Sequence, residues 1–208
     1  MNKKGLLLVF SGPSGVGKGT VLKEYLKAHP NTAFSVSATT RPPREGEIHG
    51  RHYFFLSHEE FQRLIEEKGF LEHAQFAGNH YGTPRKAVEE SLKKGIDVVL
   101  EIEVQGALQV KNQNPDAVLV FVMPPSFEEL RRRLAGRGTE DAETVERRLS
   151  NAAREMEAAK QYDYIIVNQT VEEAAAQLEQ IVSAAKHTAG YLNEFIEEVE
   201  DDAKTCCQ

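Results

Sequence analysis

A chain of 208 residues with 40% hydrophobic and 27% charged side chains has the balance of one compact globular domain and is long enough to bury a substantial core. The formal net charge of −7 argues against a partner that is a nucleic-acid polymer, and no apolar run is long enough to cross a bilayer, so no membrane association and a cytoplasmic location are expected. Cys206 and Cys207, the only cysteines, are adjacent near the C-terminus and can neither staple the fold nor make a spaced metal site.

The apolar run Leu6 to Phe10 reads as a strand, and Val21 to Leu26 as the start of a helix. Between them lies Gly12-Pro13-Ser14-Gly15-Val16-Gly17-Lys18-Gly19-Thr20, which has both the spacing and the setting of a phosphate-binding loop. Its glycines let backbone N–H groups turn inward, the helix N-terminus adds positive potential, and Lys18 supplies a charge that can follow a transferring phosphoryl group. Ser14, Gly15, Val16, Gly17, Lys18, Gly19 and Thr20 are therefore candidate ATP-binding residues. Where a hydroxyl for Mg²⁺ is expected, Gly19 stands instead, so Thr20 is the candidate metal ligand, acting through a bound water. The competing account is an ordinary glycine-rich turn between a strand and a helix.

Beyond His29-Pro30, Phe34 to Ser37 alternates like a short strand, and the proline- and charge-rich stretch Ala38 to Glu47 reads as an ordered loop. Tyr53 to Leu56 is a predicted strand, and Ser57-His58-Glu59-Glu60 is a capping box opening a helix. Phe70 to Phe76 returns as a strand; Asn79 to Thr83 is expected to be a turn, with Thr83 capping a helix that starts at Pro84. Strands are then predicted over Asp97–Ile102, Ala117–Val122 and Tyr164–Val167. Helices are predicted over Gln105–Val110, Ser126–Leu134, Ala142–Lys160 and Val171–Lys186.

Near-continuous apolar strands alternating with helices indicate an α/β fold around a parallel sheet covered on both faces. The expected organisation is a core of residues 1–34 and 84–190, an inserted lobe over 35–83, and a lid over 126–160. Residues 191–208 form a tail in which six acids face one base, Lys204.

Two forked guanidinium groups, Arg41 and Arg44, and the phenol of Tyr53 fall in the inserted lobe, a set suited to a second phosphate. Further arginines cluster at Arg131 to Arg133, Arg137, Arg147 and Arg148. Glycines around Arg137 suggest a lid that brings charge onto reacting phosphates and excludes water. For Arg131 and Arg132, pairing with Glu128, Glu129 and Glu146 on a solvated helix surface is the plainer account.

Ser37-Ala38-Thr39-Thr40-Arg41-Pro42-Pro43-Arg44-Glu45-Gly46-Glu47 with Gly50-Arg51-His52-Tyr53, together with the phosphate loop, resembles the signature of guanylate kinases. Phe70 to Ala74, Tyr81 to Thr83, Glu101 to Gly106 and Arg133 to Thr139 continue the likeness in order, from Gly5 to about Lys186. The resemblance implies a P-loop three-layer fold with a monophosphate-binding lobe and a lid, catalysing Mg²⁺-dependent phosphoryl transfer from ATP to GMP, with dGMP as a further acceptor. It implies Lys18, Arg44, Arg137 and Arg148 as catalytic groups, with Arg133 and Asn168 on the ATP side. GMP would be held by Ser37, Arg41, Arg44, Tyr53, Glu72, Tyr81, Thr83, Glu101 and Glu103. Glu101 and Glu103 are one methylene longer than the aspartates frequent in that family. A homodimer is compatible with the sequence.

Guanine offers two adjacent donors, N1–H and the exocyclic amine, and the Glu72 carboxylate can accept both, while the Ser37 and Thr83 hydroxyls can serve the O6 and N7 side. Adenine would face Glu72 with a lone pair, and such a mismatch discriminates by roughly 10⁴-fold. Two rivals remain: a binding module of the same fold that has lost catalysis, and a kinase for another nucleoside monophosphate.

Overall fold

The computed structural model describes residues 4–76, 78–136 and 142–206. Two sheets organise them. A five-stranded parallel sheet runs in the order β2 (Thr32–Phe34), β7 (Asp97–Glu101), β1 (Leu7–Ser11), β8 (Val118–Met123), β9 (Tyr164–Val167). A four-stranded sheet runs β4 (Phe54–Phe55), β3 (Ala38–Thr39), β6 (Asn79–Pro84), β5 (Phe70–Phe76).

The central strand β1 is buried over its whole length, because both faces of the sheet are covered. Leu8 and Phe10 pack with Val21, Leu22 and Tyr25 of α1 (Lys18–Ala28) and Ala174, Leu178 and Val182 of α7 (Val171–Ala185). Leu7 and Val9 face Val88 and Leu92 of α3 (Arg85–Lys93) and Ala107 and Val110 of α4 (Val104–Gln113). Successive side chains of a strand point to opposite faces, so a run of five apolar or small residues is what this doubly covered position demands. Fully burying each large aliphatic or aromatic side chain contributes about 1.5–3 kcal/mol.

In the lobe, α2 (His58–Glu66) packs Phe61 on Phe70 with ring centroids 4.5 Å apart, next to Ala38. The capping box is formed as expected: Ser57 Oγ accepts from Glu60 N, and Ser57 N donates to Glu60 Oε2. Helices α5 (Phe127–Ala135) and α6 (Ala142–Glu157) join through a separate small core of Leu130, Leu134, Leu149 and Ala152. A final helix, α8 (Asn193–Cys206), buries none of its residues.

Several expectations are corrected. Asn79 to Thr83 is strand and not turn, because β6 pairs antiparallel with both β5 and β3. Pro84 is the N-cap of α3, leaving the Thr83 side chain free of capping. The strand expected to reach Ser37 ends at Phe34, where the chain leaves the main sheet for the lobe. The long helix from Ala142 closes at Glu157 and tightens into a 3₁₀ turn over Ala158–Gln161. Arg137 and Cys207 lie outside the described residues.

Candidate active site

Chain order reverses direction across the main sheet beside β1, and the carboxyl ends of the strands there form the crevice where ligands bind in such folds. Ser11 ends β1 and donates its hydroxyl to Ile102 O at 2.7 Å, fixing the exit of β1 against that of β7. The phosphate loop follows. Gly15 and Gly17 have φ of 85° and 96°, a region that strains residues with a side chain. At Gly17 a Cβ would also stand 2.7 Å from Asn168 Nδ2.

Lys18 opens α1, and its ammonium donates to Gly12 O at 2.5 Å and Pro13 O at 3.3 Å, folded over the loop. Burial lowers its pKa, opposed by the charges of Glu101, Glu155 and Glu103. Thr20 is exposed in the first turn. Behind the loop, Asn168 is buried at 3% exposure and donates Nδ2 to Val16 O at 2.7 Å. Arg133 donates to Val16 O at 3.3 Å and to Asn168 O at 3.0 Å, and is held by Glu129 at 2.8 Å. In this arrangement Arg133 and Asn168 support the loop's carbonyl side. Arg148, on α6, donates to Ser14 Oγ at 2.8 Å. Arg131 pairs with Glu146 and Arg132 with Glu129, the surface roles that were the plainer account.

Across a cavity of about 310 Å³, lined by Gly12, Ser14, Lys18 and Glu155 on one side, stand Ser37 and Tyr53 of the lobe. Arg41 lies over the rings of Tyr53 and Phe55, 5.5 Å and 5.8 Å from their centroids. It donates to Glu47 Oε1 at 2.8 Å and hydrogen bonds with the Tyr81 side chain. Glu47 Oε2 accepts the Arg44 backbone N–H at 2.7 Å. The Arg41 hydrogen bond, then the Arg44 N–H, holds the Glu47 carboxyl down at about 2. The guanidinium of Arg44 is exposed at the lobe surface.

Glu72 is buried at 6% exposure. Its Oε1 accepts from Thr83 Oγ1 at 2.7 Å, so the Thr83 hydroxyl proton, expected with that of Ser37 to serve guanine, goes to the carboxylate. Burial raises the Glu72 pKa, and hydrogen bonds from the Thr83 side chain and backbone oppose the rise. Glu101 is likewise raised by burial and lowered by Lys18. Glu103 is exposed at the N-cap of α4.

A family model described as guanylate kinase matches residues 4–185. The chain belongs to the guanylate kinase family. It is 51% identical over 201 residues to the guanylate kinase of Clostridioides difficile (strain 630), covering 96% of this chain and 98% of that one. With the guanylate kinase of Desulfitobacterium hafniense (strain Y51) it shares 53% over 182 residues, 88% and 91% of the two chains. The crystal structure of guanylate kinase from Anaplasma phagocytophilum superposes with a TM-score of 0.77 at 37% identity, covering 95% and 96%.

For a guanylate kinase, ATP is the co-substrate and a metal is implied. The oxygen donors suit Mg²⁺, which keeps several waters and takes one or two carboxylates besides phosphate. Glu101, Glu103 and Glu155 line the cavity beside Lys18. A Cβ at Gly19 would lie 3.7 Å from Glu101 Oε2, so the carboxylate faces the place a hydroxyl side chain would have filled.

Glu155 escaped the sequence reasoning. It sits seven residues after Arg148, on the same side of α6, and its carboxyl is raised by burial and by Glu103 while Lys18 and the Ser14 backbone N–H favour its charge. That two-turn spacing was its one sequence signal. A larger cavity of about 790 Å³ lies at the opposite, amino end of the strands, where Lys111 is already paired with Asp163 at 2.9 Å.

Proposed function

We propose that this chain transfers the γ-phosphoryl group of ATP to GMP, giving ADP and GDP, with Mg²⁺ as the metal and the residues above in named roles. The observation that carries the assignment of roles is the facing pair of cradles: Lys18 and the loop on one wall of the cavity, Ser37 and Tyr53 on the other. The loop from Ser14 to Thr20 holds the triphosphate. Arg41, Arg44, Tyr53 and Tyr81 hold the acceptor phosphate, and Glu72 accepts the two guanine donors, with Ser37 completing the base site.

Chemistry then needs only alignment and charge. A GMP phosphate oxygen attacks the γ-phosphorus in line; its bond forms as the bond to the β-bridging oxygen breaks, and ADP leaves with that electron pair. Mg²⁺, when bound, neutralises phosphate charge; Glu101 and Glu103, with Thr20 through water, would hold it. Lys18 and Arg148 meet the charge that builds on the moving group, and the lid arginine Arg137 joins them. The surviving Lys18, Arg41, Arg44 and Arg148 disfavour a binding module that has lost catalysis.

Coupled measurement of ADP formation with GMP, dGMP, AMP, UMP and dTMP tests the assignment. Turnover is expected with GMP and dGMP, and loss of it in Lys18→Ala. Equal turnover with AMP or UMP, or an active Lys18→Ala variant, would overturn it.

A further inference from the structure

The helix α4 contains a glycine that its own helix does not ask for. Gly106 lies in the first turn, has no left-handed φ, and is buried. Alanine in its place would favour the helix by about 1 kcal/mol. What opposes a side chain is Glu72: a Cβ on Gly106 would stand 2.5 Å from Glu72 Oε2, 3.0 Å from its Cδ and 3.3 Å from its Cγ. The carboxylate has little room to yield, since it is buried and Thr83 holds its other oxygen.

Two further features fix the same contact. One turn along α4, Gln109 clips the neighbouring strand residue, donating Nε2 to His73 O at 3.1 Å and accepting from His73 N at 3.2 Å. The β5–β6 register also shifts between Phe70 and Glu72, and this irregularity sets Glu72 opposite Thr83. Without it, the residue opposite Thr83 would be Leu71, which is buried in the main core. The backbone of β5 is thus bulged to bring Glu72 round and clamped just beyond it, and the bare Cα of Gly106 leaves the place into which its carboxylate fits.

From this we infer that Gly106 is a specificity-determining position: its missing side chain sets where the guanine-selecting carboxylate lies. The inference rests on Glu72 being the guanine acceptor. It places in α4 a determinant of the choice between GMP and AMP that acts through Glu72.

The test is a cycle of Gly106→Ala and Glu72→Asp, with Glu72→Gln as a control, read by KM and kcat for GMP and AMP, KM for ATP, and Tm. Gly106→Ala is expected to raise the KM for GMP by roughly 10–100-fold, as displacement of a positioned group by about 1 Å can do. The AMP rate and the KM for ATP should stay unchanged and Tm should not fall. In the Glu72→Asp background, where the shorter side chain removes the clash, the same change should cost less than about threefold. An unchanged KM for GMP in Gly106→Ala, a loss equal in both backgrounds, or a joint loss of ATP affinity and Tm would overturn the inference. Should Glu72→Gln leave GMP selection intact, the reading of Glu72 itself fails; a strong Glu72→Gln effect beside a silent Gly106→Ala rejects only the role of Gly106.

Discussion

Arg148 reaches from α6 to the phosphate loop and donates to Ser14 Oγ at 2.8 Å. Helix α6 is thereby in direct contact with the phosphate loop. Helices α5 and α6 share a core of Leu130, Leu134, Leu149 and Ala152, so Arg133 and Arg148 stand on one packed pair of helices.

Removing this guanidinium should damage the chemical step more than binding. Arg148→Ala is expected to lower kcat by about 10²–10³-fold, with a much smaller change in the KM for GMP. Arg148→Lys should recover only part, because an ammonium lacks the fork that spans two phosphate oxygens. Steady-state kinetics at saturating ATP checks both.

The neighbouring cradle depends on Glu47, whose two oxygens join Arg41 to the Arg44 backbone. Glu47→Ala should raise the KM for GMP and leave that for ATP unchanged, and Glu47→Gln should do less harm, since the amide oxygen still accepts one N–H. Because the Glu47 carboxyl is held at about 2, well below its ordinary 4.5, its contribution to stability is complete above pH 4.5 and is lost as pH falls toward 2. Acid unfolding of wild type and Glu47→Gln should therefore converge at the low end of that window.

Glu72 has the opposite sign. Burial raises its pKa, so the folded protein binds a proton more readily than the unfolded chain, and stability falls as pH rises through the raised value. Glu72→Gln should thus be more stable than wild type at pH 8, the gain vanishing near pH 4 where wild-type Glu72 is protonated. GMP selection should move the other way: the carboxylate must be charged to accept two donors, so wild-type KM for GMP rises on acidification. Thermal unfolding and kinetics over the same pH series measure both effects.

How much of this was legible from the sequence differs from element to element. The phosphate loop was, because glycines, lysine and flanking apolar runs are contiguous and each is locally required. Arg41, Arg44 and Tyr53 could be named as anion-binding side chains; the structure brings Arg41 over the Tyr53 ring and leaves Arg44 exposed. Glu72 could be named but its burial could not be derived: alternation along β5 allows either Leu71 or Glu72 to face inward, and the register shift buries both. Asn79 to Thr83 looks like a turn because it opens on Asn and contains Gly82, yet pairing with two strands overrides that local preference. Arg133 shows the same limit, since nothing in its helix reveals that Val16 O and Asn168 O lie within reach.

That long-range contact carries its own consequence. Asn168 joins the end of β9 to the loop through Val16 O, and to the end of β8 through its backbone N–H, which donates to Met123 O at 2.8 Å. Asn168→Ala removes the shorter of the two hydrogen bonds to Val16 O, leaving that from Arg133, and should cost about 1 kcal/mol of stability. Loosening the loop should also raise the KM for ATP and spare that for GMP. Denaturant titration and initial-rate kinetics separate the two effects.

The most direct test is a crystal structure of the protein with GMP, Mg²⁺ and a non-transferable ATP analogue. It should place the GMP phosphate within hydrogen-bond distance of Arg41, Arg44 and Tyr53, guanine N1 and its amine on Glu72, and the γ-phosphate on Lys18. A monophosphate bound away from Arg41 and Arg44, or a base that leaves Glu72 unengaged, would contradict the account.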